Sequence, residues 1–205
     1  MKQIKWMILI LLCLPLLSAA AEKDSICSSP LKYEVLDKSA DVDAFLRMAG
    51  DKHFNLYYSG SDLILEQRRK GTLLLIHGQS FAPYQNEEMY IDSAWFQNIG
   101  DIPERELVIR YSLFSLQPSS STRSKHIIII DPGQKKILLN ISTYDFKIAP
   151  DENGKIIDYL YEALVQISFN GIRVKATDDS DIDNPSIQLE DGIYHRHGHC
   201  FVRHL

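Results

Sequence analysis

The stretch that decides the fold is Asp151–Gly171, DENGKIIDYLYEALVQISFNG. Ile156, Leu160, Ala163, Leu164 and Ile167 fall at the three- and four-residue spacing that lines one face of a helix. Gly171 stands where a helix C-cap belongs. The spacing predicts the main helix of the chain over residues 155–170.

Immediately upstream the pattern changes. KHIIIIDPGQKKILLNIS (Lys125–Ser142) places two apolar runs on either side of Pro132-Gly133, which reads as a β-hairpin. Four consecutive isoleucines, Ile127–Ile130, show no alternation, as expected of a strand buried on both faces. RELVIRYSLFSL before it is strand-like, and QPSSSTRS between them reads as a loop by composition. HFNLYYSGSDLILEQRRKGTLLLIHG (His53–Gly78) has apolar and aromatic runs broken at Ser59-Gly60-Ser61 and Arg69-Lys70-Gly71, a three-strand meander. Two short helices are expected around these strands. SADVDAFLRMAG (Ser39–Gly50) offers Ser39 or Asp41 as N-cap and Gly50 as stop, and NEEMYIDSAWFQNIG (Asn86–Gly100) carries Met89, Ala94, Trp95 and Ile99 as a loose apolar set. IRVKA and the C-terminal residues supply the last strands. The class expected is α+β: one strand-rich domain, mostly antiparallel, with one main helix and one or two short ones. Strands joined by tight turns disfavour a doubly wound sheet.

The chain ends set its compartment. Lys2 and Lys5 precede an apolar run, Trp6–Leu17, followed by the small residues Ser18-Ala19-Ala20-Ala21. That order predicts a cleavable signal peptide over residues 1–21 and a single exported globular domain over 22–205, in the periplasm or outside the cell. The run is shorter than the roughly 20 residues of a spanning helix. Leu12 is too bulky to precede a lipidated Cys13, so neither an anchor nor a lipoprotein is preferred. Losing Lys2 and Lys5 takes the net charge from −5 to about −7. No basic stripe remains, which argues against nucleic acid. The mature chain has no second apolar stretch long enough to span a membrane.

Two cysteines would survive processing, Cys27 and Cys200. In an oxidising compartment an even pair predicts a disulfide. Closing so long a loop contributes about 4–5 kcal/mol in the chain-entropy model.

Three stretches invite chemistry. LLLIHGQS (Leu73–Ser80) has the strand-His-Gly form of a hydrolase oxyanion loop, with Ser80 near His77. No two glycines after His77 stand four apart, so the G-x-S-x-G nucleophile elbow is missing. DDSDIDNPSIQLE places Asp179, Asp181, Asp183 and Glu190 at positions 1, 3, 5 and 12 of a calcium loop, with Asn184 at the position that needs a left-handed backbone. Pro185 and Ser186 depart from that pattern, and a solvated acidic loop accounts for the same residues. GIYHRHGHCFVRHL (Gly192–Leu205), read as one strand, puts His195, His197 and His199 on one face with Phe201. Tyr194, Arg196, Gly198, Cys200, Val202 and His204 fall on the other. Such a row could hold zinc or copper, or form a polar face sensitive to pH near 6. Cys200 points away from it, toward Cys27.

No cofactor motif and no local catalytic signature occurs in the chain. The tyrosines at 57, 58, 84, 90, 159 and 161, with Trp95, are contact-residue types. The expected function is that of an exported, periplasmic, non-catalytic protein-binding domain, inhibitor-like or immunity-like. Its acidity would steer it to a basic partner. Two other classes stay open: a metal-binding exported protein using the histidine row or the 179–190 loop, and a small exported hydrolase without a recognisable motif. The sequence does not address oligomeric state.

Overall fold

The computed structural model describes residues 25–37, 42, 45–60, 62–78, 81, 88–101, 105–117, 120–150, 153–178 and 189–204. Among them there is no α-helix. The strands are β1 (Ser25–Cys27), β2 (Ser29–Pro30), β3 (Glu34–Leu36), β4 (Leu46–Gly50), β5 (Phe54–Ser59), β6 (Asp62–Gln67), β7 (Thr72–His77) and β8 (Glu88–Gln97). There follow β9 (Glu106–Gln117), β10 (Ser120–Asp131), β11 (Lys136–Pro150), β12 (Ile156–Ser168), β13 (Gly171–Asp178), β14 (Gly192–His197) and β15 (Cys200–His204).

They form two sheets, antiparallel throughout. The larger runs β1-β15-β14-β13-β12-β11-β10-β9-β8, and the smaller runs β3-β7-β6-β5-β4. The larger sheet also returns on itself. β11 pairs β12 through its second half, Tyr144–Pro150, and β2 through Lys136 and Ile137 in its first. β2 follows β1 directly, and Ser28 between them donates its N–H to the His199 carbonyl at 2.8 Å. The hydrogen-bonded path β11-β12-β13-β14-β15-β1/β2 is therefore a ring. Cys27 and Cys200, register partners of β1 and β15, close it with a disulfide across a sequence separation of 173.

The isoleucine run shows how the layers stack. Ile127 and Ile129 join the core inside the ring, with Val108, Ile141, Val165, Ile172, Tyr194 and Phe201. Ile128 and Ile130 join the core between the two sheets, with Leu56, Leu63, Leu65, Leu107 and Ile109. Side chains alternate along a strand, so a strand with a core on each side must be apolar at every position. Each fully buried isoleucine contributes on the order of 2 kcal/mol of transfer free energy.

The expected α+β class is overturned at every helix. Residues 155–170 form β12, paired to β11 on one side and β13 on the other. Tyr161, Ala163 and Val165 are buried, whereas Leu160, Glu162, Leu164 and Gln166 between them are exposed. The cause is arithmetic. Ile156, Leu160 and Leu164 are four residues apart, a spacing that fits one face of a helix and one face of a strand equally well. Gly171 caps no helix. Its φ of +126° and its packing against the Tyr194 carbonyl, which a Cβ would overlap, fit it to the start of β13 instead.

The helix expected over Ser39–Gly50 is replaced, where described, by β4, which pairs β5. That expected over Asn86–Gly100 is replaced by β8. A bulge at Asp92 hid its period, because Met89 and Ile91 face the inter-sheet core before it and Ala94 and Phe96 after it. The polar stretch read as a loop is mostly strand: Gln117 ends β9 and Ser120–Ser124 begin β10. The meander, the Pro132-Gly133 hairpin and the strands at 106–117 and 171–178 form as expected. Residues 1–21, expected to be a signal peptide, lie outside the described residues. Among the described residues no helix is long and apolar enough to cross a membrane.

Candidate functional site

β12 leaves its partner partway along. The last β11–β12 pair is Tyr144↔Glu162, and from Ala163 to Ser168 β12 is paired only with β13. The split coincides with a bulge in β11, where Thr143 has no partner on β10 between Ser142↔His126 and Tyr144↔Lys125. A bulge bends its strand, and here a cleft of about 450 Å³ opens between the two strands. One wall is Ala163, Leu164 and Val165, and the floor comes from β9 and β10.

That floor is cationic. Arg110, Arg123 and Lys125 line the cleft, with Asp92 the acidic side chain among its lining residues. Asp92 is engaged by the Ser112 hydroxyl, which donates to it at 2.8 Å. The cations rest on aromatic rings: Arg110 lies 5.5 Å from the centroid of Trp95, Arg123 5.1 Å from Phe114 and Lys125 5.8 Å from Tyr144. A ring face holds a cation in place without neutralising it. His126, also in the lining, is neutral: burial lowers its pKa to about 4, and its ring stacks on Tyr111.

Beside the cleft lies an apolar strip. Ile156 and Leu164 are each 63% exposed and Leu160 42%, all on the outward face of β12. Cross-strand partners share a face, so the row Leu160–Phe146–Arg123–Phe114 continues across β11, β10 and β9. On the other flank Leu164 pairs Lys175 and Gln166 pairs Arg173. The strip is thus bordered by cations on both sides.

The residues singled out from sequence are distributed differently. Cys27 and Cys200 form the expected bridge. The C-terminal stretch is a hairpin rather than one strand. Gly198, with φ +61°, and His199 make its turn and reset the alternation beyond it. His195 and His197 share an outward face, His199 lies in the turn, and Phe201 points into the ring core. His204 joins them instead, its ring 4.8 Å from that of His195 and 5.9 Å from that of His197. Among the described residues no group of three or more His, Cys, Asp or Glu is arranged to hold a metal ion. Asp179, Asp181 and Asp183 lie outside the described residues, and Glu190 is exposed and ion-paired to Arg203. His77 contacts Asp62 at 3.2 Å and Glu34 at 3.5 Å, and its hydrogen bond to Asp62 is the main reason its pKa is raised. Ser80 and Tyr84 lie outside the described residues. Of the other tyrosines, Tyr58 donates to the Met89 carbonyl and Tyr161 to the Leu189 carbonyl, both structural contacts, while Tyr90 is exposed.

One constellation escaped the sequence reading. Arg196, its side chain 1% exposed, lies between Glu106 and Asp131 inside the molecule. Its signal was present, since Arg196 alternates with the buried Tyr194 on one face of β14. Comparison with protein-family models, curated proteins and solved structures finds no match to this chain.

Proposed function

We propose that the protein is an exported, non-catalytic binding protein that captures an extended acidic segment of a partner protein at the split between β11 and β12. The observation carrying this reading is the edge of β12 at Ala163–Val165, which no strand among the described residues pairs, facing a cleft floored by Arg110, Arg123 and Lys125. Farther along, the Gln97 side chain donates to the Ile167 carbonyl and closes the edge. An open strand edge is a template for strand addition, in which main-chain hydrogen bonds supply affinity and alternate side chains supply specificity. Apolar side chains of the guest would lie on Leu160 and Leu164, and its acidic side chains on the cations. The chain as a whole is acidic, which by itself favours a basic partner. Local charge outweighs net charge at contact, because charges more than about 8 Å apart are screened at physiological salt.

The test uses two extended peptides, one alternating valine with glutamate and one alternating valine with lysine, titrated onto the purified protein. The glutamate peptide is expected to bind at least about tenfold more tightly, a difference of about 1.4 kcal/mol. The double variant Arg123→Glu/Lys125→Glu should invert that preference, and Leu164→Asp should weaken binding of the glutamate peptide. Equal binding of the two peptides, or a preference that survives the charge reversal, would overturn the reading.

A further inference from the structure

The open edge of β12 is a short window. At one end β11 holds Glu162 through Tyr144, and at the other the Gln97 side chain donates to the Ile167 carbonyl at 3.2 Å. Trp95 fixes that amide in turn, donating from Nε1 to the Gln97 Oε1 at 2.9 Å. Between the two ends lie Ala163–Gln166, about 13 Å of strand.

The ladder decides which backbone groups face this window. Antiparallel partners alternate between pairs that exchange hydrogen bonds and pairs that do not. The Ala176 N–H turns away from β12 to the Asp191 carboxylate, so Ala163↔Ala176 is a pair of the second kind. Ala163, Val165 and Ile167 therefore aim their N–H and C=O groups at the open side. Gln97 takes the Ile167 carbonyl, but among the described residues no hydrogen bond reaches Ala163 or Val165 from that side. Both residues are buried, at 9% and 7% exposure. Buried backbone groups are almost always paired, so the window calls for the main chain of a guest.

Its length narrows the guest further. An internal segment would have to leave the sheet at both ends within four residues, whereas a chain end leaves it once. Running antiparallel to β12, the commoner and slightly more stable arrangement, that end points its C-terminus at the junction with β11. Lys125 stands there, the cross-strand partner of Tyr144, which itself pairs Glu162. Its ammonium rests on the Tyr144 ring and forms no salt bridge among the described residues, Glu162 included.

We infer that the segment captured at this split is the free C-terminus of the partner chain. Its last residues pair with the edge of Ala163 and Val165, and its α-carboxylate lies on Lys125, a form of terminal-carboxylate capture. An N-terminal amine would meet the same cation and be repelled. The assignment rests on strand capture at this site and names the part of the partner that enters.

The experiment titrates four forms of the valine–glutamate peptide onto the whole protein by calorimetry: free acid, C-terminal amide, glycines appended after the last residue, and glycines appended before the first. The free acid is expected to bind at least about tenfold more tightly than the amide or the C-terminally extended form, and within about threefold of the N-terminally extended one. Lys125→Gln should bring acid and amide within about threefold of each other. Equal binding of all four forms, with the glutamate peptide still preferred over the lysine peptide, would overturn this inference and leave strand capture standing. An acid–amide difference that survives Lys125→Gln would also overturn it. Failure of every form to bind would overturn both.

Discussion

Replacing Arg196 with methionine should be among the most damaging single changes available in this protein. The guanidinium is 1% exposed, and it lies between Glu106 at 2% and Asp131 at 3% side-chain exposure. It pairs directly with Glu106, reaches Asp131 at 3.5 Å and donates from Nε to the Gly198 carbonyl at 3.0 Å. Without it, Glu106 keeps the Ile99 N–H and Asp131 keeps the Gln134 N–H, both at 2.9 Å. One backbone donor each is poor compensation for two carboxylates in a dry interior. Breaking a buried ion pair from one side typically costs about 3–5 kcal/mol, because the remaining charge is stranded. Total stability for a chain of this kind is on the order of 5–15 kcal/mol, so urea unfolding at pH 7 should show the midpoint falling sharply at constant m-value. The double variant Glu106→Gln/Arg196→Met should be less damaging than the sum of its parts by about 2 kcal/mol, within the range for residues in one network. A loss under about 1 kcal/mol, the value for a solvent-exposed pair, or an additive double variant would refute this account of the interior.

Three further outcomes follow from features already described. Converting both Cys27 and Cys200 to alanine should cost about 5 kcal/mol, the chain-entropy value for a loop of this length, read from urea melts against the oxidised protein; a loss below about 1 kcal/mol would remove the bridge from the account of ring closure. His126 has a folded pKa of about 4, below its unfolded value of about 6.5. The unfolded chain therefore binds the proton more readily, and stability present above pH 6.5 is lost as pH falls toward 4, by up to about 3 kcal/mol. His126→Phe should flatten that slope. His77 moves the opposite way: with a raised folded pKa, its small contribution is complete below about pH 6.5 and is lost as pH rises through the raised value. An NMR titration should place His77 above the ordinary histidine value, and Asp62→Asn should bring it back down.

What the sequence disclosed depended on whether the decisive partners were near or far along the chain. The β10–β11 hairpin was legible because four adjacent isoleucines and a Pro-Gly turn state it locally. The Cys27–Cys200 bridge was legible because only one pairing remains once Cys13 is assigned to the expected signal peptide. β12 was not, because spacing by fours satisfies two periods, and the residues that break the tie, Tyr161 and Val165, do so only when their alternation is weighed above the leucines. β8 was obscured by a single unpaired residue, Asp92. The β11–β12 cleft could not be read at all. Its cations come from β9 and β10, its wall from β12, and the bulge that opens it is a property of the paired strands. The residues that suggested a helix, Ile156, Leu160 and Leu164, are the ones left outside as the apolar strip.

The isoleucine run has a consequence for how the molecule comes apart. Ile127 and Ile129 belong to one core and Ile128 and Ile130 to the other, so the same backbone segment is a wall of both. Neither sheet can release its interior without exposing half of that run to water. The smaller sheet should not melt ahead of the ring, and the amides of Ile127–Ile130 should exchange with solvent only through global opening, as the slowest in the chain. β10 makes two hydrophobic interiors a single cooperative event.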